Sequence, residues 1–135
     1  MKRYCLDTSA YSNFKRGRPR IVKLLAQAEW LVLPSIVVGE LWAGFLKGNR
    51  PLENQDELLD FLAHPMVHET PANREVAIAY AEIIETLRVA GTPLPSNDIW
   101  IAATAATSGS TVITYDAHFK AIFRVASLIL DPSER

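Results

Sequence analysis

The sequence has a single cysteine, Cys5, so no disulfide can form within the chain. Cys5 lies in an apolar run, where a thiol behaves as a small core residue. A chain without such staples fits a reducing compartment. No stretch approaches the roughly 20 apolar residues of a membrane-spanning helix. The opening "MKRYCLDTSAY" has the positive charge of a signal peptide, but its apolar run stops at Asp7, too short for a secretory signal. These absences lead to the expectation of a soluble, cytoplasmic protein. A dominant charge is also lacking: the net charge is −1. That argues against a basic coat for nucleic acid and leaves room for a local basic patch. Without internal repeats, linkers or low-complexity segments, the 135 residues predict a single domain over 1–135. A domain of this size buries about two thirds of its unfolded surface, enough for a core.

What is present alternates between two periods. "RYCLD" (3–7) is apolar without alternation, the pattern of a strand buried on both faces. "WLVLP" (30–34), "MVHET" (66–70), "TVITYD" (111–116) and "SLIL" (127–130) predict four more strands. Between them lie helical patterns. "SAYSNFKRG" is closed by Gly17, and "PRIVKLLAQAE" has Pro19 near its start. Ser35 is placed to cap a helix that runs to about Lys47 and stops at Gly48. Helical spacing continues over 52–64 and 73–91, and Ser96 is placed to cap a helix closed by Gly109. "AHFKAIF" predicts a last short helix. Strands alternating with helices predict an α/β fold with a mainly parallel sheet covered on both faces.

Four acids stand out against this pattern. Ligands of open α/β sheets bind beyond the carboxyl ends of the strands. Asp7 ends the first predicted strand and Asp116 the fourth. Asp98 has Ile101, Ala102 and Ala105 as helical neighbours, so it shares the apolar stripe. Glu40 sits inside "SIVVGELWAGFL" with Ile36, Val37, Ala43 and Gly44 around it. Taken singly, Asp7 and Asp116 read as turn or cap residues, Asp98 as a first-turn helix acid, and Glu40 as half of an ion pair. One shared site accounts for all four. Carboxylates 4 Å apart repel by about 4 kcal/mol at an effective dielectric near 20. Either protons or a divalent cation must then hold them together. No His or Cys cluster has zinc spacing, and an all-oxygen site favours Mg2+ or Mn2+. Such sites activate water and clamp phosphodiesters.

The same residues resemble the PIN-domain family, and within it the VapC-type toxins of toxin–antitoxin pairs. The resemblance covers nearly the whole chain. "YCLDTSAYSNF" is similar to the family's opening motif, "LPSIVVGELWAG" to its second, and "NDIWIAATAATSGSTVITYDAHF" to its third and fourth. It implies a three-layer α/β/α fold with a five-stranded sheet in the order 3-2-1-4-5, which makes strands 1 and 4 neighbours. It also implies a metal-dependent endoribonuclease that forms homodimers and is inhibited by a cognate, VapB-like antitoxin in a heterotetramer or larger complex. By that resemblance Asp7, Asp98 and Asp116 bind Mg2+ or Mn2+, and Glu40 completes the shell directly or through water. Tyr115 departs from the pattern, where a smaller or more polar residue is common, and bears on how RNA enters. Thr8 and Thr114 read either as hydrogen-bond partners of the carboxylates or as ordinary strand-end threonines, and Ser9 is open in the same way.

The remaining features are less specific. Lys15, Arg16, Arg18, Arg20 and Lys23 follow Asp7 closely, and Lys47 and Arg50 form a smaller group. They read as phosphate contacts to RNA, as contacts to an acidic antitoxin segment, or as a solvated loop. His64, His68 and His118 are scattered and read as structural or exposed. Trp42, Phe45 and Leu46 read as an antitoxin groove or as core, and Trp30 and Trp100 as core. Two rival enzyme or signalling classes lack their signatures. A phosphoacceptor domain wants paired acids after the first strand and a lysine after the last; Asp7 stands without an adjacent acid, and "SLILDPSER" has no lysine. A haloacid-dehalogenase-like phosphatase wants Asp-x-Asp, where this chain has Asp7-Thr8-Ser9. A non-catalytic PIN-like binding module is the third rival, and it would be expected to have lost acids.

Overall fold

The computed structural model describes residues 2–133. Five strands form one sheet: β1 (Arg3–Leu6), β2 (Trp30–Pro34), β3 (Val67–Thr70), β4 (Thr111–Thr114) and β5 (Ser127–Ile129). The order is β3-β2-β1-β4-β5 and every pairing is parallel, as the resemblance implied. β1 is central, with Cys5 opposite Val32 on one side and Val112 on the other. The residues that make the three central strands, β2, β1 and β4, buried on both faces are Cys5, Leu6, Val32, Leu33, Val112 and Ile113, each no more than 1% exposed. Burial holds the Cys5 thiol protonated, with the nearby Asp7 charge adding to the effect, so it is an inert core residue.

Among the described residues, six α-helices connect the strands: α1 (Thr8–Lys15), α2 (Pro19–Ala26), α3 (Ser35–Lys47), α4 (Pro51–Leu62), α5 (Arg74–Ala90) and α6 (Ser96–Ser108). Right-handed crossovers place α1–α2 and α3–α4 on one face and α5–α6 on the other. Helix α6 lies close to the sheet because its inward residues are small: Ala102, Ala103 and Ala105 are fully buried. Tyr80 of α5 stacks on Trp100 of α6, with ring centroids 3.7 Å apart and planes 12° off parallel. This packing fixes the first turn of α6, where Asp98 sits. Leu58 anchors α4, and Ile21 with Leu25 anchors α2. A buried Leu or Ile side chain contributes about 1.5–3 kcal/mol each. Among the described residues, no helix is long and apolar enough to cross a membrane.

Several boundaries differ from expectation. Ser35 and Ser96 are not caps. Each is the first helical residue, the cap positions are Pro34 and Pro95, and neither helix start has a side-chain cap bond. The prolines, with φ of −61° and −57°, carry the chain into the helix by backbone geometry alone. By contrast Asn73 caps α5 through its side chain, which accepts from the Val76 amide at 3.0 Å. The segment after Asp116 forms a 3₁₀ helix, Ala117–Ala121, in place of an α-helix. Gly91 and Gly109 end α5 and α6 with φ of 72° and 63°, the left-handed conformation that favours glycine.

Candidate active site

The order β3-β2-β1-β4-β5 makes the β1–β4 boundary the place where successive connections diverge, the switch point at which such sheets bind ligands. Asp7 lies one residue past β1 and is 5% exposed. Its Oδ1 accepts from the Ala10 amide and from Ser9 Oγ, both at 2.8 Å, and its Oδ2 accepts from the Thr114 hydroxyl. Asp7 is thus the N-cap of α1 and a site residue at once. Burial pushes its carboxyl above the usual range, the three hydrogen bonds pull it back, and the negative charge of Asp116 pushes it up again.

The end of β4 is sewn to the same place. Thr114 is fully buried, and its Oγ1 also accepts from the Asp116 amide at 2.9 Å. Ser9 Oγ accepts from the Tyr115 amide at 3.1 Å. Thr114 and Ser9 therefore bridge the two strand ends, each as donor and acceptor. Asp116 caps the 3₁₀ helix, accepting from the His118 amide at 2.9 Å. Asp7 and Asp116 are thus both caps, and they lie near enough for the charge of Asp116 to act on Asp7.

Glu40 and Asp98 approach from the two helices. Thr8 Oγ1 donates to Glu40 Oε1 at 2.7 Å, and Asn97 Nδ2 donates to Glu40 Oε2 at 3.2 Å. Neutral donors from α1 and α6 thus hold this acid, and among the described residues no Arg or Lys pairs with it. Asp98 is half-buried, and its carboxyl is pushed up to about 6. Burial is the main cause, followed by the charges of Asp116, Asp7 and Glu40, while His118 opposes them. That three of the acids act on the fourth is the electrostatic sign of their proximity. Among the described residues, one ligand atom each from Asp98, Asp116 and His118 lie within 4.8 Å of one another, a group that could hold a metal ion.

Two neighbours of the acids lie outside the site residues that the sequence suggests. Asn97 reaches Glu40 across 57 positions, a contact no local pattern encodes. His118 read as structural or exposed; it is exposed, yet its Nδ1 lies 3.1 Å from Asp116 Oδ1. Its position two residues after a strand-end acid was the one available signal. His68 stacks on Trp30, and His64 Nδ1 accepts from the Met66 amide, so both have structural roles. Trp42 and Phe45 are partly buried against the core, while Leu46 is 66% exposed. In the basic loop, Lys15 pairs with Glu57 at 3.6 Å and Arg18 donates to the Pro132 carbonyl at 3.1 Å. The negative charge of Asp131 lies near Arg20, and Arg16 is exposed.

A doubly wound parallel sheet with carboxylates gathered at its switch point defines an α/β protein with an acidic site that could hold a cation. A family model for the PIN domain matches residues 4–124, and the chain belongs to that family. Ribonuclease VapC1 from Haemophilus influenzae (strain R2866) is 28% identical over 117 residues, spanning 84% of this chain and 86% of that protein. Ribonuclease VapC4 from Mycobacterium tuberculosis is 29% identical over 122 residues, spanning 90% and 92%. The crystal structure of VapBC2 from Rickettsia felis bound to a DNA fragment from their promoter matches with a TM-score of 0.82 at 25% identity, over 96% of this chain and 99% of that one.

Proposed function

We propose that this protein is a metal-dependent endoribonuclease and the toxin of a toxin–antitoxin pair. The observation that carries the reading is the convergence of Asp7, Glu40, Asp98 and Asp116 on the switch point of a PIN domain. The names of the VapC relatives support RNA as substrate, and the VapBC2 structure supports a VapB-like antitoxin as partner. The donor set fits a hard dication: carboxylate oxygens predominate, and Asp98 is held in a form that favours a proton or a cation. Asp98 and Asp116 would hold Mg2+ or Mn2+, with Asp7 beside them. When bound, the dication supplies the charge that offsets the phosphate and the Lewis acidity that makes water a nucleophile near neutral pH.

The chain's own residues do the rest. Glu40 orients the attacking water and takes its proton at Oε2, the oxygen with the longer hydrogen bond. Thr8 and Asn97 fix the carboxylate plane for that task. Thr114 and Ser9 hold Asp7 and keep the two strand ends together. Exposed cations of the loop, Arg16 foremost, position the RNA backbone. In this reading the chain acts as a homodimer, with a VapB-like antitoxin as its partner. Cleavage of RNA by the purified protein with Mg2+ or Mn2+, lost with EDTA and in Asp7→Asn, tests the activity. Cleavage that survives both treatments would reject the metal mechanism. Induced expression should arrest growth for the wild type and not for Asp98→Asn; no arrest by the wild type counts against the toxin reading.

A further inference from the structure

We infer that His118 is a third donor to the metal site, beside Asp98 and Asp116, and that its imidazole biases the site toward transition dications such as Mn2+ over Mg2+. The inference rests on the metal-dependent reading proposed above and deepens it at one residue. The sequence suggests an all-oxygen site; the structure adds a nitrogen.

The geometry is the starting point. His118 Nδ1 and Asp116 Oδ1 are 3.1 Å apart. Donors in adjacent positions of an octahedral ion, each about 2.1–2.2 Å from it, are separated by about 3.0–3.1 Å, and opposite donors by about 4.2–4.4 Å. The three ligand atoms of Asp98, Asp116 and His118 all fall within 4.8 Å of one another, so small side-chain rotations bring them onto one ion. The His118 side chain is 63% exposed and so has room for that adjustment, while Asp116, 38% exposed, stays tied through Oδ1 to the His118 amide.

The engagement of Asp7 points the same way. Each carboxylate oxygen has two lone-pair positions. Oδ1 of Asp7 fills both with Ser9 and Ala10, and Oδ2 fills one with Thr114. Asp7 therefore keeps one lone pair, enough for a single bond to a cation, so the other positions around the ion are open to further donors or water. His118 is the neighbour with a nitrogen to give. Mg2+ retains its waters and selects oxygen donors, whereas imidazole nitrogen binds first-row transition ions more readily. The competing role for His118 is that Nδ1–H donates to Asp116 and merely orients it. That role orients the carboxylate for every dication alike.

The two roles separate in a binding experiment on the whole chain. Calorimetric titration of the wild type and of His118→Ala with Mn2+ and with Mg2+ should show Mn2+ weakened about tenfold or more and Mg2+ changed by less than about twofold. Equal weakening of both ions, or unchanged Mn2+ affinity, overturns the inference. Pulsed EPR of Mn2+ bound to the wild type should show modulation from a directly coordinated 14N nucleus, and this measurement does not depend on the variant folding. Mn2+ bound without that modulation also overturns the inference while leaving the metal-dependent reading standing. Wild type that binds neither ion rejects both.

Discussion

The hydroxyl of Thr114 donates to Oδ2 of Asp7, joining the end of β4 to the end of β1 across 107 positions of sequence. Thr114 Oγ1 also accepts from the Asp116 amide. One threonine thus sets the spacing of two acids. Thr114→Val keeps the shape and removes both interactions. A lost hydrogen bond to a charged group that stays buried costs roughly 1.5–3 kcal/mol. Urea denaturation should show Thr114→Val destabilised by about that amount, with Thr114→Ser near the wild type. A valine variant as stable as the wild type would mean that Asp7 does not depend on this donor.

Glu40 has its own pair of supports, Thr8 and Asn97. Residues that orient a functional carboxylate without touching substrate typically cost about 10–100-fold when removed. Thr8→Val and Asn97→Leu should lower the RNA cleavage rate by that factor. RNA affinity, measured by fluorescence anisotropy in EDTA, should stay near that of the wild type. Affinity falling in step with rate would instead make these residues contacts to RNA.

Asp98 predicts a pH dependence. Burial, with Asp116, Asp7 and Glu40, pushes its carboxyl up to about 6 in the folded protein. In the unfolded chain it titrates near the ordinary value of about 3.9. Between these two values the folded state binds more protons than the unfolded state, so stability falls as pH rises through that window. Below about pH 4 the penalty is absent, and above about pH 6 it is complete. The melting temperature in EDTA should therefore decline from pH 4 to 6 more steeply in the wild type than in Asp98→Asn. Adding Mn2+ at pH 7 should raise it in the wild type by mass action. Identical pH slopes for the two proteins would show that Asp98 is not held in this state.

The basic loop predicts a salt dependence. Each phosphate contact adds about 1 to the slope of log affinity against log salt. In an Asp7→Asn background that binds without cleaving, Arg16→Ala should reduce the slope by about 1. Lys15→Ala should change it less, because Lys15 already pairs with Glu57. A slope unmoved by Arg16→Ala would place the RNA elsewhere.

Much of this was legible before the structure, and the reasons are specific. Glu40 and Asp98 stood out because a charge on an apolar stripe breaks a local pattern. Asp7 and Asp116 stood out because they follow strand patterns at the end where α/β sheets bind ligands. The strand order came from the family resemblance, and it holds. Ser35 and Ser96 begin their helices and do not cap them; a serine before an apolar run looks the same in sequence in either place. The short helix after Asp116 is 3₁₀, a difference in hydrogen-bond spacing that an eye for the 3.6-residue period does not resolve. Asn97 had no signal of its own, and His118 only its place two residues after a strand-end acid.

By itself, the sequence determined what depends on neighbours along the chain: the two periods, the glycine stops, and four acids in places where acids are costly. Those follow from backbone geometry and side-chain chemistry within a few residues. Only the tertiary structure decided which oxygen faces which donor, that Thr114 and Ser9 stitch two strand ends together, and that an exposed histidine lies against Asp116. Such contacts arise because burying both faces of a central parallel strand forces distant segments to share one edge of the sheet, and the partners met there are set by packing across the whole molecule.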